Sequence, residues 1–115
     1  MKVVRYHDEA RLELLHEVGF YTAISRRLGE RFDNAVQAAE MRASEFPDSG
    51  SPYKHGTRRV FPKKFPFSVV YVTSEHELLI LAIAPFRRKP GYWRSRLNDA
   101  NPSRFNRTAS PPLER

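Results

Sequence analysis

A chain of 115 residues with 40% apolar content has material for one modest core, so a single domain is expected. Its longest apolar run, seven residues from Leu78 to Ala84, falls far short of the roughly 20 that a membrane-crossing helix needs, and the absence of cysteine excludes disulfides, thiolate metal ligands and a cysteine nucleophile. The net charge of +7 is unevenly spread: residues 1–53 carry seven Lys/Arg against nine Asp/Glu, whereas residues 54–96 carry ten against two, a balance of +8 suited to nucleic acid or an acidic protein partner.

Taken in chain order, Val3-Val4-Arg5-Tyr6 is rich in β-formers and predicts a strand, and Asp8-Glu9 suits the first turn of a helix. No apolar stretch precedes those acids to serve as a secretion signal, and the expected compartment is the cytoplasm. Leu14, Leu15, Val18, Tyr21, Ile24 and Leu28 recur at three- and four-residue steps and predict one buried helical face. A second periodic set, Phe32, Ala35, Val36, Ala39, Ala43 and Phe46, predicts a second helix, joined to the first near residues 22–30 and ended by Pro47. Glu9, Glu13 and Glu17 recur every four residues and read as a solvated side of the first helix. Residues 47–57 carry turn and loop chemistry.

Strands follow. Arg58–Phe61 predicts a short one, Pro62-Lys63-Lys64 a turn, and the alternation from Phe65 to Val72 a strand apolar on both faces, hence interior, the strand proper beginning after Pro66. Residues 73–76 make a hairpin connection to Glu77–Ala84, another strand buried on both sides. The order predicts an α+β fold: an N-terminal strand, a helical hairpin, then a three-stranded antiparallel meander completing a small sheet. Residues 1–97 form the expected domain, and 98–115, which contain three prolines and no apolar period, read as a disordered or loosely docked tail.

Chemistry concentrates in two places. Arg87, Arg88 and Lys89 precede Tyr92 and Trp93, combining planar phosphate donors with rings able to stack on bases, although Trp93 also suits a place capping the core. Arg58, Arg59, Lys63 and Lys64 form a second cluster that antiparallel pairing brings toward the end of the last strand. Arg58 and Arg59 point to opposite faces, so at most one is central, and the sequence does not choose. The four histidines show no metal-ligand spacing, and no metal or cofactor is implied. His55, ahead of the basic strand, is a candidate for proton transfer and equally an ordinary exposed loop residue.

Over roughly residues 2–97 the chain resembles the RelE/ParE toxin superfamily. The resemblance rests on Leu-Gly-Glu-Arg-Phe at 28–32, the Pro47 break, Arg-Arg-Val-Phe-Pro-Lys-Lys-Phe-Pro-Phe-Ser-Val-Val-Tyr at 58–71, and Ile-Leu-Ala-Ile-Ala at 80–84 followed by Arg-Arg-Lys-Pro-Gly-Tyr-Trp at 87–93. It implies the toxin of a type II toxin–antitoxin pair, neutralised by an antitoxin with an acidic flexible segment. RelE-like members cleave messenger RNA in the ribosome without metal; ParE-like members poison DNA gyrase without cutting. For cleavage, the resemblance gives Arg59 and Arg87 the charge on phosphorus and Tyr92 the role of base if cations lower its pKa. Arg58, Lys63, Lys64, Arg88, Lys89 and Trp93 are then target-binding. No histidine lies in 84–93 and no glutamate between Pro47 and Ser74, which suits the gyrase reading. A non-toxic basic adaptor or RNA-binding protein is a third expectation.

Overall fold

In the computed structural model, which describes residues 1–99, Val3–Tyr6 forms strand β1 and the chain turns at once into helix α1 (Asp8–Ile24). The turn is fixed by His7, whose Nδ1 accepts the Glu9 amide at 3.1 Å, while Asp8 and Glu9 face the positive end of the helix dipole. Ser25 alone separates α1 from α2 (Arg26–Glu45). Its N–H donates to the Tyr21 carbonyl, closing α1, and its Oγ accepts the Leu28 amide at 3.0 Å, opening α2. So tight a hairpin brings the helices together at Gly29, where a Cβ would lie 2.0 Å from Thr22 Oγ1.

The remaining strands are β2 (Ser51–Pro52), β3 (Arg58–Val60), β4 (Phe67–Thr73) and β5 (Glu77–Pro85), in a five-stranded sheet of order β1-β5-β4-β3-β2. The β3-β4-β5 meander is antiparallel, β4 and β5 are interior, and β1 joins β5 in parallel because the helical hairpin carries the chain back between them. The 47–57 segment, expected as loop alone, also supplies β2. Pro52, which has no N–H to donate, is tolerated there because β2 is an edge strand.

Pairing of β4 with β5 passes from Val70↔Ala82 to Tyr71↔Ile80, leaving Leu81 as an extra residue, so Leu81 and Ala82 both join the same face. The sheet is thereby buried on both sides. Toward the helices, Val69, Tyr71, Leu78, Ile80 and Ile83 pack with Phe32, Val36 and Ala39. On the far side, Val70, Leu79, Leu81, Ala82 and Ala84 pack under Trp93, with Tyr53, Tyr92 and Leu97 around it. The segment after β5 is therefore a third layer.

Two expectations about α1 need correction. Leu14 is buried and Val18 and Tyr21 half-buried, but Leu15 and Ile24 are 50% and 62% exposed, because a helix buries a stripe only about 100° wide and these two lie outside it. Glu17 is buried and Glu13 half-buried, so the acidic side of α1 is not simply solvated. The final 3-10 turn, Arg94–Asp99, runs two residues past the expected boundary, and Asp99 Oδ2 meets His7 Nε2 at 2.9 Å. The rest of the expected tail, residues 100–115, lies outside the described residues. No described helix is long and apolar enough to cross a membrane.

Candidate functional site

Strand alternation decides between the two arginines of β3. Arg58 pairs with Tyr71, on the helix-facing side, and its Nη1 donates to the carbonyls of Gly50 at 2.7 Å and Asp48 at 3.2 Å. Arg59 pairs with Val70, on the opposite face, where the sheet and the segment after β5 enclose a cleft of about 310 Å³. Arg59 is held there before any ligand arrives. Its guanidinium carbon lies 3.9 Å from the Tyr53 ring centroid and 5.0 Å from that of Phe61, and Nη1 donates to Ser68 Oγ at 3.1 Å. Its Nε is buried without a hydrogen-bond partner among the described residues, a donor open at the cleft wall.

Arg88 and Lys89 line the same cleft from the segment after β5. Arg88 lies 3.8 Å from the Tyr92 ring centroid, and Phe61, Phe86 and Trp93 complete the aromatic wall with Tyr53. Among the described residues no Asp, Glu or His lines the cleft. Cations close to aromatic faces, with no carboxylate to neutralise them, suit a ligand that is both anionic and planar.

The other expected site residues offer less to a ligand. Trp93 is 1% exposed and forms a wall of the second core, so its ring face is occupied by packing. Arg87 does not line the cleft; its side chain is 70% exposed and its Nη2 lies 3.8 Å from Glu17 Oε2, toward α1. Lys63 and Lys64 are exposed in the β3–β4 turn, Lys64 with a left-handed φ of 71°, also outside the cleft lining. His55 sits in a left-handed turn, edge-on to Trp93 at 6.0 Å between ring centroids.

Tyr92 corrects the expectation of a cation-activated base. Its hydroxyl donates to Glu13 Oε2 at 2.8 Å, and burial raises its pKa above the ordinary 10.0. The Glu13 charge and hydrogen bond act in the same direction and outweigh the opposing pull of Arg96 and Arg88. The phenol is held as a hydrogen-bond donor, and its pKa is shifted in the direction opposite to the one a cation-activated base requires.

Glu13 itself is the residue that sequence reasoning missed. β5 runs on beyond its pairing with β1, which ends at Ile80, leaving backbone groups of its C-terminal half without a strand partner. Glu13 Oε1 accepts the Ile83 amide at 3.0 Å, and Arg96 Nη1 donates to the Leu81 carbonyl at 2.9 Å. The two side chains are joined by a bidentate pair, at 3.0 and 2.8 Å. Together they stand in for a missing strand and fix Tyr92 beside the cleft. The only trace of this in the sequence is a glutamate one turn before a buried one on α1, which a solvated helix face produces equally well.

Among the described residues no group of three His, Asp or Glu is arranged to hold a metal. A scan against family models and a search of curated proteins both returned no match to this chain.

Proposed function

We propose that the protein is the toxin of a type II toxin–antitoxin pair, acting in the cytoplasm, and that the basic aromatic cleft is where it grips messenger RNA on the ribosome. The observation that carries this reading is the convergence of Arg59, Arg88 and Lys89 on one aromatic-lined cleft that, among the described residues, is free of carboxylates. Arginine matches phosphate geometry and the rings offer stacking surface to bases, so the cleft suits unpaired RNA. Arg59, preordered by Tyr53 and Ser68, is placed to stabilise charge growing on a phosphate with little reorganisation. The same cations suit the acidic segment of an antitoxin, which neutralises the toxin by covering them.

A second reading, the gyrase poison, is favoured by two observations: Tyr92 is a held, neutral donor, and among the described residues the cleft lining offers no imidazole or carboxylate for acid–base chemistry. One experiment separates the two. Growth arrest on induction is followed beside cleavage of ribosome-bound messenger RNA and gyrase supercoiling, using purified parent and Arg59→Ala. The RNA reading expects cleavage by the parent, reduced about 100-fold or more in the variant with folding preserved. Blocked supercoiling with intact RNA replaces it with the gyrase reading; no growth arrest and neither activity leaves the non-toxic adaptor.

A further inference from the structure

Phe61 and Phe86 are large apolar side chains left 40% and 56% exposed at the mouth of the cleft. They meet edge to face, with centroids 6.0 Å apart and planes at 72°, so they steady one another without covering their outer surfaces. The sheet places cations around them. Phe61 follows β3 and leads into the turn with Lys63 and Lys64, while Phe86 follows β5 and leads into Arg87 and Arg88; Phe67 pairs with Pro85, so these segments share one end of the sheet. Neither lysine has a carboxylate within 4.0 Å among the described residues, and Arg87 reaches only a 3.8 Å contact with Glu17.

An apolar protein surface docked on these rings would strip water from Lys63, Lys64 and Arg88, which have no carboxylate partner among the described residues, a costly arrangement. A nucleic-acid strand supplies both halves of what the surface lacks: bases for the rings and phosphates for the cations. A duplex fits poorly, since its bases are already stacked on each other. We infer that the Phe61–Phe86 pair is a second base-stacking subsite, adjoining the cleft, so that the protein engages a single-stranded RNA segment of at least two nucleotides. Arg59 and Arg88 hold the strand in the cleft, the phenylalanine ledge takes the neighbouring base, and Lys63 and Lys64, exposed in the adjoining turn, face the continuing backbone. This subsite rests on the RNA reading of the cleft.

The test is fluorescence anisotropy at fixed salt with an unstructured RNA oligonucleotide and an abasic strand of the same length, which keeps the phosphates and removes the bases. The parent is expected to prefer the oligonucleotide over the abasic strand by about tenfold or more. Phe86→Ala, a change at an exposed ring, is expected to erase most of that preference while binding the abasic strand as the parent does, and Phe86→Trp to retain it. Preference unchanged in Phe86→Ala, with Arg59→Ala weakening both strands, overturns the ledge and leaves the cleft reading intact. Binding indifferent to Arg59→Ala and Arg88→Ala, or no binding of either strand by the parent, overturns both.

Discussion

Glu13 serves four donors at once: the Ile83 amide, the Tyr92 hydroxyl and two nitrogens of Arg96. Removing it leaves a largely buried guanidinium without its counter-charge and an edge amide without an acceptor, so Glu13→Ala should lower stability by about 3 kcal/mol in urea denaturation. Tyr92→Phe takes away one donor and leaves the Glu13–Arg96 pair standing, and should cost only about 1 kcal/mol. As a positioning group, Tyr92 should also be replaceable by Phe without loss of growth arrest on induction. Its pKa has a separate consequence. Tyr21, Tyr71 and Tyr92 all have pKa values raised by burial above 10.0. The folded chain therefore keeps these protons to higher pH than the unfolded chain. The resulting stability is fully present below pH 10 and is lost as pH rises through the folded values. Thermal melts taken upward from neutral pH should show Tm falling at the alkaline end, with a shallower fall in Tyr92→Phe.

The helical hairpin supplies an element-scale test because its two glycines sit in opposite environments. Gly29 faces Thr22 across the helix contact, where a Cβ would lie 3.0 Å even from the Thr22 Cα, so Gly29→Ala must push the backbones apart. A loss of roughly 1–3 kcal/mol is expected, the usual cost of overpacking. A Cβ at Gly19, in the same hairpin, meets nothing within 4 Å. Gly19→Ala should raise stability by roughly 0.5–1 kcal/mol through helix propensity alone. Chemical denaturation of the two variants checks the sign of each, and equal shifts would contradict the close approach at Ser25. The two helices were legible from their apolar period, but the burial of individual α1 residues was not. Leu14 and Leu15 are chemically identical neighbours, and only the direction in which α1 meets the sheet separates the buried one from the exposed one.

At the scale of the whole molecule, the charge balance of the basic half should govern association. Each phosphate contact releases counterions, so affinity for single-stranded RNA should fall as salt rises. Lys89 lines the cleft, and Lys89→Ala should reduce the slope of log affinity against log salt by about 1. Arg26, at the start of α2 and 3.9 Å from Glu30, lies outside the cleft, and Arg26→Ala should leave the slope unchanged. Titrations at several salt concentrations read this directly; an equal effect from both variants points to diffuse charge in place of a defined cleft.

The α+β order, the interior positions of β4 and β5 and the basic, aromatic character of the last segment follow from sequence alone, because hydrophobic period, turn chemistry and charge are local properties written along the chain. Which groups meet is not local. Pairing of Arg59 with Val70 turned Arg59 into the cleft and Arg58 toward Gly50, a choice invisible until register was fixed, since one residue of slip exchanges the faces. The early end of β1 left the β5 edge open, and that vacancy, created by strands far apart in sequence, drew Glu13 and Arg96 together and turned Tyr92 from a candidate base into a held donor. Sequence determined what chemistry this protein carries; tertiary structure decided which of it shares a cleft, because side-chain direction is set by the pairing of distant strands.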